Sequence, residues 1–425
     1  MEFFSERNGE LYVEGISCVD LVEQFGSPLY VTSKGALEKN AEAYINAFSK
    51  ASFEVRFLYA VKANNNLTLM KILNKKGYGA DVFSDGELYL ALLAGFNRKY
   101  VLFNGNSKSE EEIRMGIEAG VPFSIDSLDE LETVSKIAEE LCKEVRIAFR
   151  INPDISPNTH PKIATGLKTS KFGIPWKSVM DAYKKAVESP GIVVSGIHCH
   201  IGSQIKDVSP FVEALNRVFD VAEKVEKLGV ELEFLDIGGG LGIDYEGIGA
   251  PTPKDFAEEI IPVFERRVKD LNSKPELWIE PGRSIVGNTT ILLTRVNAVK
   301  KAYKNFVAVD AGFNLLLRPA MYGAYHRVVV ANRMSEEKRD VYTIVGPICE
   351  SGDILAEDRE LPEVKKGDVI AVFDAGAYGF SMSSQYNGRR RCAEVLVDRD
   401  RVYLIRERES YPEIVGRQIV PPEFA

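Results

Sequence analysis

The sequence predicts an α/β chain: a (β/α)8 barrel with a second, β-rich domain, barrel- or sandwich-like, that also takes in the N-terminal segment. Three observations carry this prediction. From about residue 55 to about 285, short β-branched or aromatic runs alternate with helix-length amphipathic stretches. Polar residues gather at or near the C-terminal ends of those runs. After about residue 285 the texture changes to short strand-like runs separated by Gly, Pro and Asp.

The first strand-like run is Leu29–Thr32, after Gly26-Ser27-Pro28, and it is assigned to the β-rich domain. The barrel strands follow: Val55–Val61, Ala80–Ser84, Tyr100–Asn104, Pro122–Asp126, Val145–Ile151, Val193–His200, Glu233–Gly238 and Leu277–Glu280. Helices are expected between them, among them Leu67–Lys76, Asp85–Leu93, Glu110–Ala119 and Pro210–Leu228. In the last, Phe211, Leu215, Val218, Phe219 and Ala222 recur at helical spacing. Ser84-Asp85 and Ser107-x-Ser109 precede acidic first turns, as helix caps do.

Eight strand–helix units in about 230 residues fit a (β/α)8 barrel. A doubly wound open sheet is the rival, but there only strands near a switch point bring their polar ends together. Here Lys62, Asp126, Asn104, Arg150, His200, Gly238–Gly240 and Glu280 all stand at strand ends. Asp81 is early in its run and is the exception. Beyond the barrel, strands are expected at Ile285–Ala298, Phe306–Asp310, His326–Ala331, Val341–Val345, Val369–Asp374, Glu394–Val397 and Arg401–Ile405. The expected domains are residues 33–284 and, together, 1–32 with 285–425.

Composition excludes several classes. Of 425 residues, 45% are apolar and 27% charged, so disorder is not the dominant state. The net charge of −9 argues against a nucleic-acid binder. No apolar run approaches the roughly 18 residues of a membrane span. The N-terminus, with acidic residues early, has no secretory pattern, and a cytoplasmic location is expected. Five scattered Cys without a CxxC pair give neither a disulfide framework nor a zinc ribbon.

The chemistry concentrates in five places. Lys62 ends an apolar strand; a partly desolvated amine there can form a Schiff base, although most strand-terminal Lys side chains simply reach solvent. Gly238-Gly239-Gly240-Leu241-Gly242 is not the dinucleotide fingerprint, since residue 243 is Ile, but three Gly let backbone N–H groups approach an anion. In Glu280-Pro281-Gly282-Arg283 the Arg can hold a phosphate or carboxylate. Glu280 either partners Arg283 or faces a ring nitrogen, where it would keep a pyridine protonated. His198-Cys199-His200 places both His on one strand face; a two-His metal site is conceivable but has no evident third ligand, so no metal is assigned. His200 could instead lie flat over an aromatic cofactor, with Ser203 donating to its phosphate. Cys349, between Pro347 and Glu350, could return a proton, against the bland reading of a small apolar filler. Together, an amine, an anion cradle, a carboxylate for a ring nitrogen and a flat His fit pyridoxal phosphate.

These residues lie in the motifs FLYAVKAN, GADVFSDGEL, HCHIGSQI, DIGGGLGI, EPGRSIVG, RPAMYGAYH, GPICESGD and DAGAYGFSMSSQYNGRRR. Through them the chain resembles, almost end to end, the fold type III pyridoxal-phosphate decarboxylases, and within them the diaminopimelate decarboxylases. The resemblance implies that Lys62 carries the cofactor and that Asp81 and Arg150 form a polar pair behind it. It implies that His200 stacks on the ring and Glu280 pairs with the ring nitrogen. Ser203, Gly238 to Gly240, Arg283 and Tyr378 would surround the phosphate, with Pro281 and Gly282 in the same turn. Cys349 would be the proton donor, contributed with Glu350 across the interface of a homodimer.

Arg283, Arg318 and Tyr322 beside Glu350, with Tyr378, suit a substrate carrying both a distal carboxylate and a distal ammonium. meso-Diaminopimelate carries both, and loss of the carboxylate at its D-centre would give L-lysine. A decarboxylase of another basic amino acid or of carboxynorspermidine, and a non-catalytic cofactor-binding regulator, are the alternatives. Residues 152–174, rich in Pro, Thr and Lys, are expected to form a loop over the mouth. Arg389–Arg391 departs from the Arg-Pro pairing expected near Tyr386-Asn387, without expected loss of activity.

Overall fold

The computed structural model describes residues 3–155, 165–166 and 170–424. The chain divides into two compact units. One comprises residues 38–244 and 249–285, the other 1–37, 245–248 and 286–425.

The first unit is a closed parallel barrel. Its strands are β1 (Val55–Ala60), β2 (Gly79–Val82), β3 (Val101–Phe103), β4 (Phe123–Ile125), β5 (Val145–Asn152), β6 (Ile192–Cys199), β7 (Phe234–Asp236) and β8 (Glu276–Ile279). Each pairs with the next, β8 pairs with β1, and β4 with β5. All eight predicted strands are present. β2 ends at Val82, two residues earlier than expected, so Asp81 lies next to its C-terminal end after all.

The barrel interior is packed, not open. Leu58, Leu102, Ala148 and Phe234, from the odd-numbered strands, form one buried layer with Trp278, whose ring stacks on Phe234 at 3.8 Å. Toward the strand C-termini the interior turns polar. The even-numbered strands contribute Asp81, Ser124, His198 and, just past β8, Glu280; the odd ones end in Asn104, Arg150 and Asp236. All seven are buried.

Helices follow seven of the strands: Leu67–Lys75, Asp85–Ala94, Glu110–Ala119, Leu128–Glu140, Val179–Glu188, Ser209–Glu226 and Pro253–Arg267. After β8 there is only the four-residue helix Arg283–Val286. Eight successive strand–helix units were expected, and here the order differs. The cover over β1 comes from residues 38–47 of the helix Lys34–Ala47, which precedes the barrel in sequence. Its Tyr44 ring packs against Phe57 at 5.6 Å, and Ala41 O accepts a bond from Tyr78 Oη.

The second unit is built on a nine-stranded sheet. The strand Leu29–Ser33 sits at its heart, antiparallel to Thr290–Lys301 and parallel to Ala393–Asp398. A three-stranded meander, Phe4–Arg7, Glu10–Val13 and Ile16–Ser17, precedes it. Two differences from the predicted elements stand out. The strand expected from Ile285 starts at Thr290, because the chain first turns through the helix at Arg283–Val286 and a 3-10 turn at Gly287–Thr289. Ile354–Leu361, not among the predicted strands, is a strand paired with Asp340–Val345. Its charged residues Glu357 and Asp358 face solvent, which hides the alternation.

Candidate active site

The site grows from the ends of the barrel strands. After β1 the chain makes a 3-10 turn, Val61–Ala63, closed by Tyr59 Oη donating to Asn64 O at 2.8 Å. This turn aims Lys62 across the mouth, where its Nζ donates to Asp81 and lies 5.6 Å from the Phe83 ring centre. Asn104 Nδ2, at the end of β3, bridges Asp81 Oδ1 at 2.5 Å and Glu280 Oε1 at 2.8 Å. No local pattern pairs these three; the pairing follows from barrel closure.

With Asp236 close by, three carboxyl groups (Asp81, Asp236 and Glu280) act on one another in a buried space, and they do not share charge equally. Burial and the nearby Glu280 push Asp81 up, with Lys62 opposing. Burial and Glu280 likewise push Asp236 well above the carboxylate range. Burial alone would also raise Glu280, but His198 and Lys62 hold it below that range. Of the three, Glu280 is the one whose surroundings favour the anion most, while Asp81 keeps Lys62 as its ion-pair partner.

His200 follows β6, and its Nδ1 accepts from Gly239 N at 3.1 Å. Burial, then Arg150 and Lys62, hold it well below the usual imidazole range. It is a neutral imidazole with its second nitrogen protonated. Gly238 N donates to Asp236 Oδ1 at 2.7 Å. The three glycines are required by close backbone approach: a Cβ on Gly239 would sit 1.8 Å from Glu280 O, and one on Gly240 2.2 Å from Gly202 O. Two of their N–H groups thus point to side chains of the barrel. Arg283 Nη2 and Nε donate to Ser203 Oγ at 3.0 and 3.3 Å, so Arg283 partners Ser203 while Glu280 partners Asn104. Pro281 O accepts from Ala60 N, and Gly282 packs against Ala60 and Ala63, which fastens β8 to β1.

These groups enclose a cavity of 220 Å³ lined by Lys62, Asn104, Arg150, His198, His200 and Glu280, with Phe83, Thr165 and Phe172. Arg150 lies over the Phe172 ring at 4.4 Å, and its proximity to Asp81 is electrostatic only. Of the loop expected over the mouth, residues 156–164 and 167–169 lie outside the described residues. The donor set fits pyridoxal phosphate. Asn104 Oδ1, His198 Nε2 and Asp236 Oδ2 are buried without a hydrogen-bond partner, an amine and an ionised carboxylate face one cavity, and cationic Arg283 stands with Ser203.

In the sequence Asn104 stands at a predicted strand end without an assigned role, Asp236 and Phe172 are not candidates, and His198 has only the conceivable two-His site. The residues whose atoms gather with His198 within 4.8 Å are two acids, Asp236 and Glu280, and not the His200 of the conceivable two-His site. The only legible hint was the alternation that puts His198 on the same face as His200.

The remaining predicted residues belong to the β-rich unit. Cys349 and Glu350 are exposed neighbours on one turn. Cys349 N donates to Asn387 Oδ1 at 2.8 Å, and Glu350 Oε1 accepts from Tyr386 Oη at 2.9 Å. Arg318 opens the helix Arg318–Tyr322, is buried, bonds His326 Nε2 at 2.8 Å and lies 4.5 Å from the Tyr245 ring centre. Tyr322, at the end of that helix, is half-buried. Tyr378 is held at a φ of +57°, a left-handed conformation uncommon for a tyrosine. The basic run is structural: Arg391 pairs with Glu409, and Arg390 lies over Tyr411.

Comparison with known proteins adds to this geometry. Residues 34–287 match the family model described as pyridoxal-dependent decarboxylase, pyridoxal binding domain. The diaminopimelate decarboxylase of Archaeoglobus fulgidus is 67% identical over 98% of this chain and 99% of its own length. That of Methanocaldococcus jannaschii is 44% identical over 98% and 97%. A crystal structure of the M. jannaschii enzyme in complex with L-lysine superposes with a TM-score of 0.94 at 43% identity, covering 100% of this chain and 99% of that one.

Proposed function

We infer the activity from one premise: the chain belongs to the diaminopimelate decarboxylases, within the pyridoxal-dependent decarboxylase family. It decarboxylates meso-diaminopimelate at the D-centre to L-lysine and carbon dioxide, with pyridoxal phosphate as cofactor. The full-length identity of 67% to a diaminopimelate decarboxylase carries this reading.

When bound, pyridoxal phosphate supplies a protonated ring that accepts the electron pair left as the Cα–carboxylate bond breaks. The chain's own residues set the conditions for that. We propose that Lys62 holds the cofactor through its amine, and that Ser203, Gly238 to Gly240, Arg283 and Tyr378 hold its phosphate. Ionised Glu280 keeps a proton on the facing ring nitrogen. Neutral His200 covers a face of the ring, and Asp81 and Arg150 border it. Arg283, Arg318, Tyr322, Tyr378 and Glu350 recognise the far end of the substrate. Cys349 delivers a proton to the substrate carbon. The exposure of Cys349 and Glu350 on one turn supports a homodimer in which each copy completes the site of the other. No helix among the described residues is long and apolar enough to cross a membrane. The biosynthetic activity supports a cytoplasmic location.

The test is an assay of purified protein with pyridoxal phosphate and, in parallel, meso-diaminopimelate, ornithine, arginine and carboxynorspermidine. Carbon dioxide and lysine from the first alone are expected. Preference for another amine substrate would mean that Arg318 and Tyr322 do not select a carboxylate. Silence on all four with cofactor bound would point to a non-catalytic regulator.

A further inference from the structure

His198 is a buried imidazole on β6 with 1% of its surface exposed, and the reaction as described above gives it no role of its own. Its Nδ1 is 2.7 Å from Ser124 Oγ on β4. Its Nε2 has no hydrogen-bond partner and faces Glu280 Oε1 at 3.5 Å. A buried polar nitrogen without a partner is costly to fold and calls for a reason.

The tautomer follows from charge. If Nε2 carried a lone pair, two electron-rich atoms would face each other in a buried space. With the proton on Nε2 the contact is attractive, and the Ser124 hydroxyl then donates to Nδ1. Glu280 needs that help. Two other carboxyls, Asp81 and Asp236, compete with it for charge, and the remaining groups acting on it are Asn104, Lys62, Arg150, His200 and the Cys199 thiol. Among all of these His198 does most to hold Glu280 below the ordinary carboxylate range, against burial.

We propose that Ser124 and His198 are a positioning pair for the decarboxylation: Ser124 orients the imidazole so that Nε2–H faces Glu280, and His198 thereby keeps Glu280 an anion toward the ring nitrogen. The inference rests on the role of Glu280 proposed above. His198 does not reach the reacting atoms; it acts through Glu280.

The test compares holoenzymes of wild type, His198→Leu, His198→Gln, Glu280→Gln and the double variant His198→Leu/Glu280→Gln. His198→Leu should still bind one cofactor per chain, with KM within about threefold and kcat lower by about 10- to 100-fold. Glu280 must be charged to act, so activity is lost as pH falls through its pKa. Without His198 that pKa rises, and the acid limb of kcat and the pH titration of the bound cofactor's absorbance should both move to higher pH. His198→Gln, whose amide can donate from the place of Nε2, should recover most of both. In the Glu280→Gln background His198→Leu should change neither.

An unmoved spectral titration with wild-type kcat would overturn the proposal. So would an equal loss in the Glu280→Gln background, or a failure of both His198 variants to bind cofactor. One tightly held metal ion per chain in the wild-type holoenzyme would also overturn it, since His198, Asp236 and Glu280 would then be its ligands. Near wild-type kcat in Glu280→Gln alone would instead sink the role of Glu280, and the proposal with it.

Discussion

Glu87 shows how burial and charge compete at a single side chain. It stands in the first turn of the helix Asp85–Ala94, and its Oε2 accepts from Phe83 N at 2.8 Å. Burial pushes its carboxyl up to about 7, although Lys62 and the Phe83 N–H pull the other way. The folded state therefore favours the protonated acid. Its stabilising contribution is full below the ordinary Glu value of about 4.3 and is lost as pH rises toward about 7. Glu87→Gln keeps the acceptor and removes the titration. The melting temperature of the variant relative to wild type should therefore rise between pH 5 and pH 8. A difference that stays constant across that range would contradict the burial argument. At this scale Lys62, His200 and Glu280 were legible because each ends a strand. Asn104 stands at such an end too, but its bridge from Asp81 to Glu280 joins residues 23 and 176 positions away. No local pattern records such a bridge.

Elements were legible where a cap or a period marks them. Ser109 caps the helix Glu110–Ala119 in a reciprocal box with Glu112. The turn that carries Cys349 is different. Asp353 accepts from Ile348 N at 2.7 Å and Phe313 N at 2.6 Å, and its carboxylate leaves no room for a Cβ at Gly312 or Gly346. Asp353 closes that turn but also ties it to Phe313, 40 residues away, so its shape could not be read from its own residues. The link after β3 is held in the same way. Lys108 Nζ, on a side chain 1% exposed, pairs with Glu130 at 2.6 Å and also donates to the carbonyls of Gly105 and Ser124. Lys108→Met leaves Glu130 as an uncompensated buried acid and should cost about 3 kcal/mol of stability. Lys108→Met/Glu130→Leu should recover much of that. Denaturant unfolding checks both; a single variant as stable as wild type would show that the pair contributes nothing.

At the scale of the whole chain the change of texture near residue 285 made the two architectures legible. Alternating strand–helix arithmetic gave the barrel. The helix covering β1 escaped it, because that helix precedes β1 instead of following β8. The N-terminal meander escaped too, since strands of two to four residues are too short to show a period. The proposed sharing of sites in a homodimer makes a prediction at this scale. Lys62→Ala, which should lose the absorbance of bound cofactor, and Cys349→Ala should each be nearly inactive. Mixed and re-paired at random, half the dimers carry both variants and each of those has one intact site of two. About a quarter of wild-type activity should then return. No recovery on mixing would mean that each copy builds its site alone.

Decarboxylation at the D-centre is tested most directly by which bond breaks. meso-Diaminopimelate labelled with ¹³C only in the carboxylate of its D-centre should release all of its label as carbon dioxide and leave unlabelled L-lysine. Label retained in the lysine, or D-lysine as product, would contradict the account at its centre.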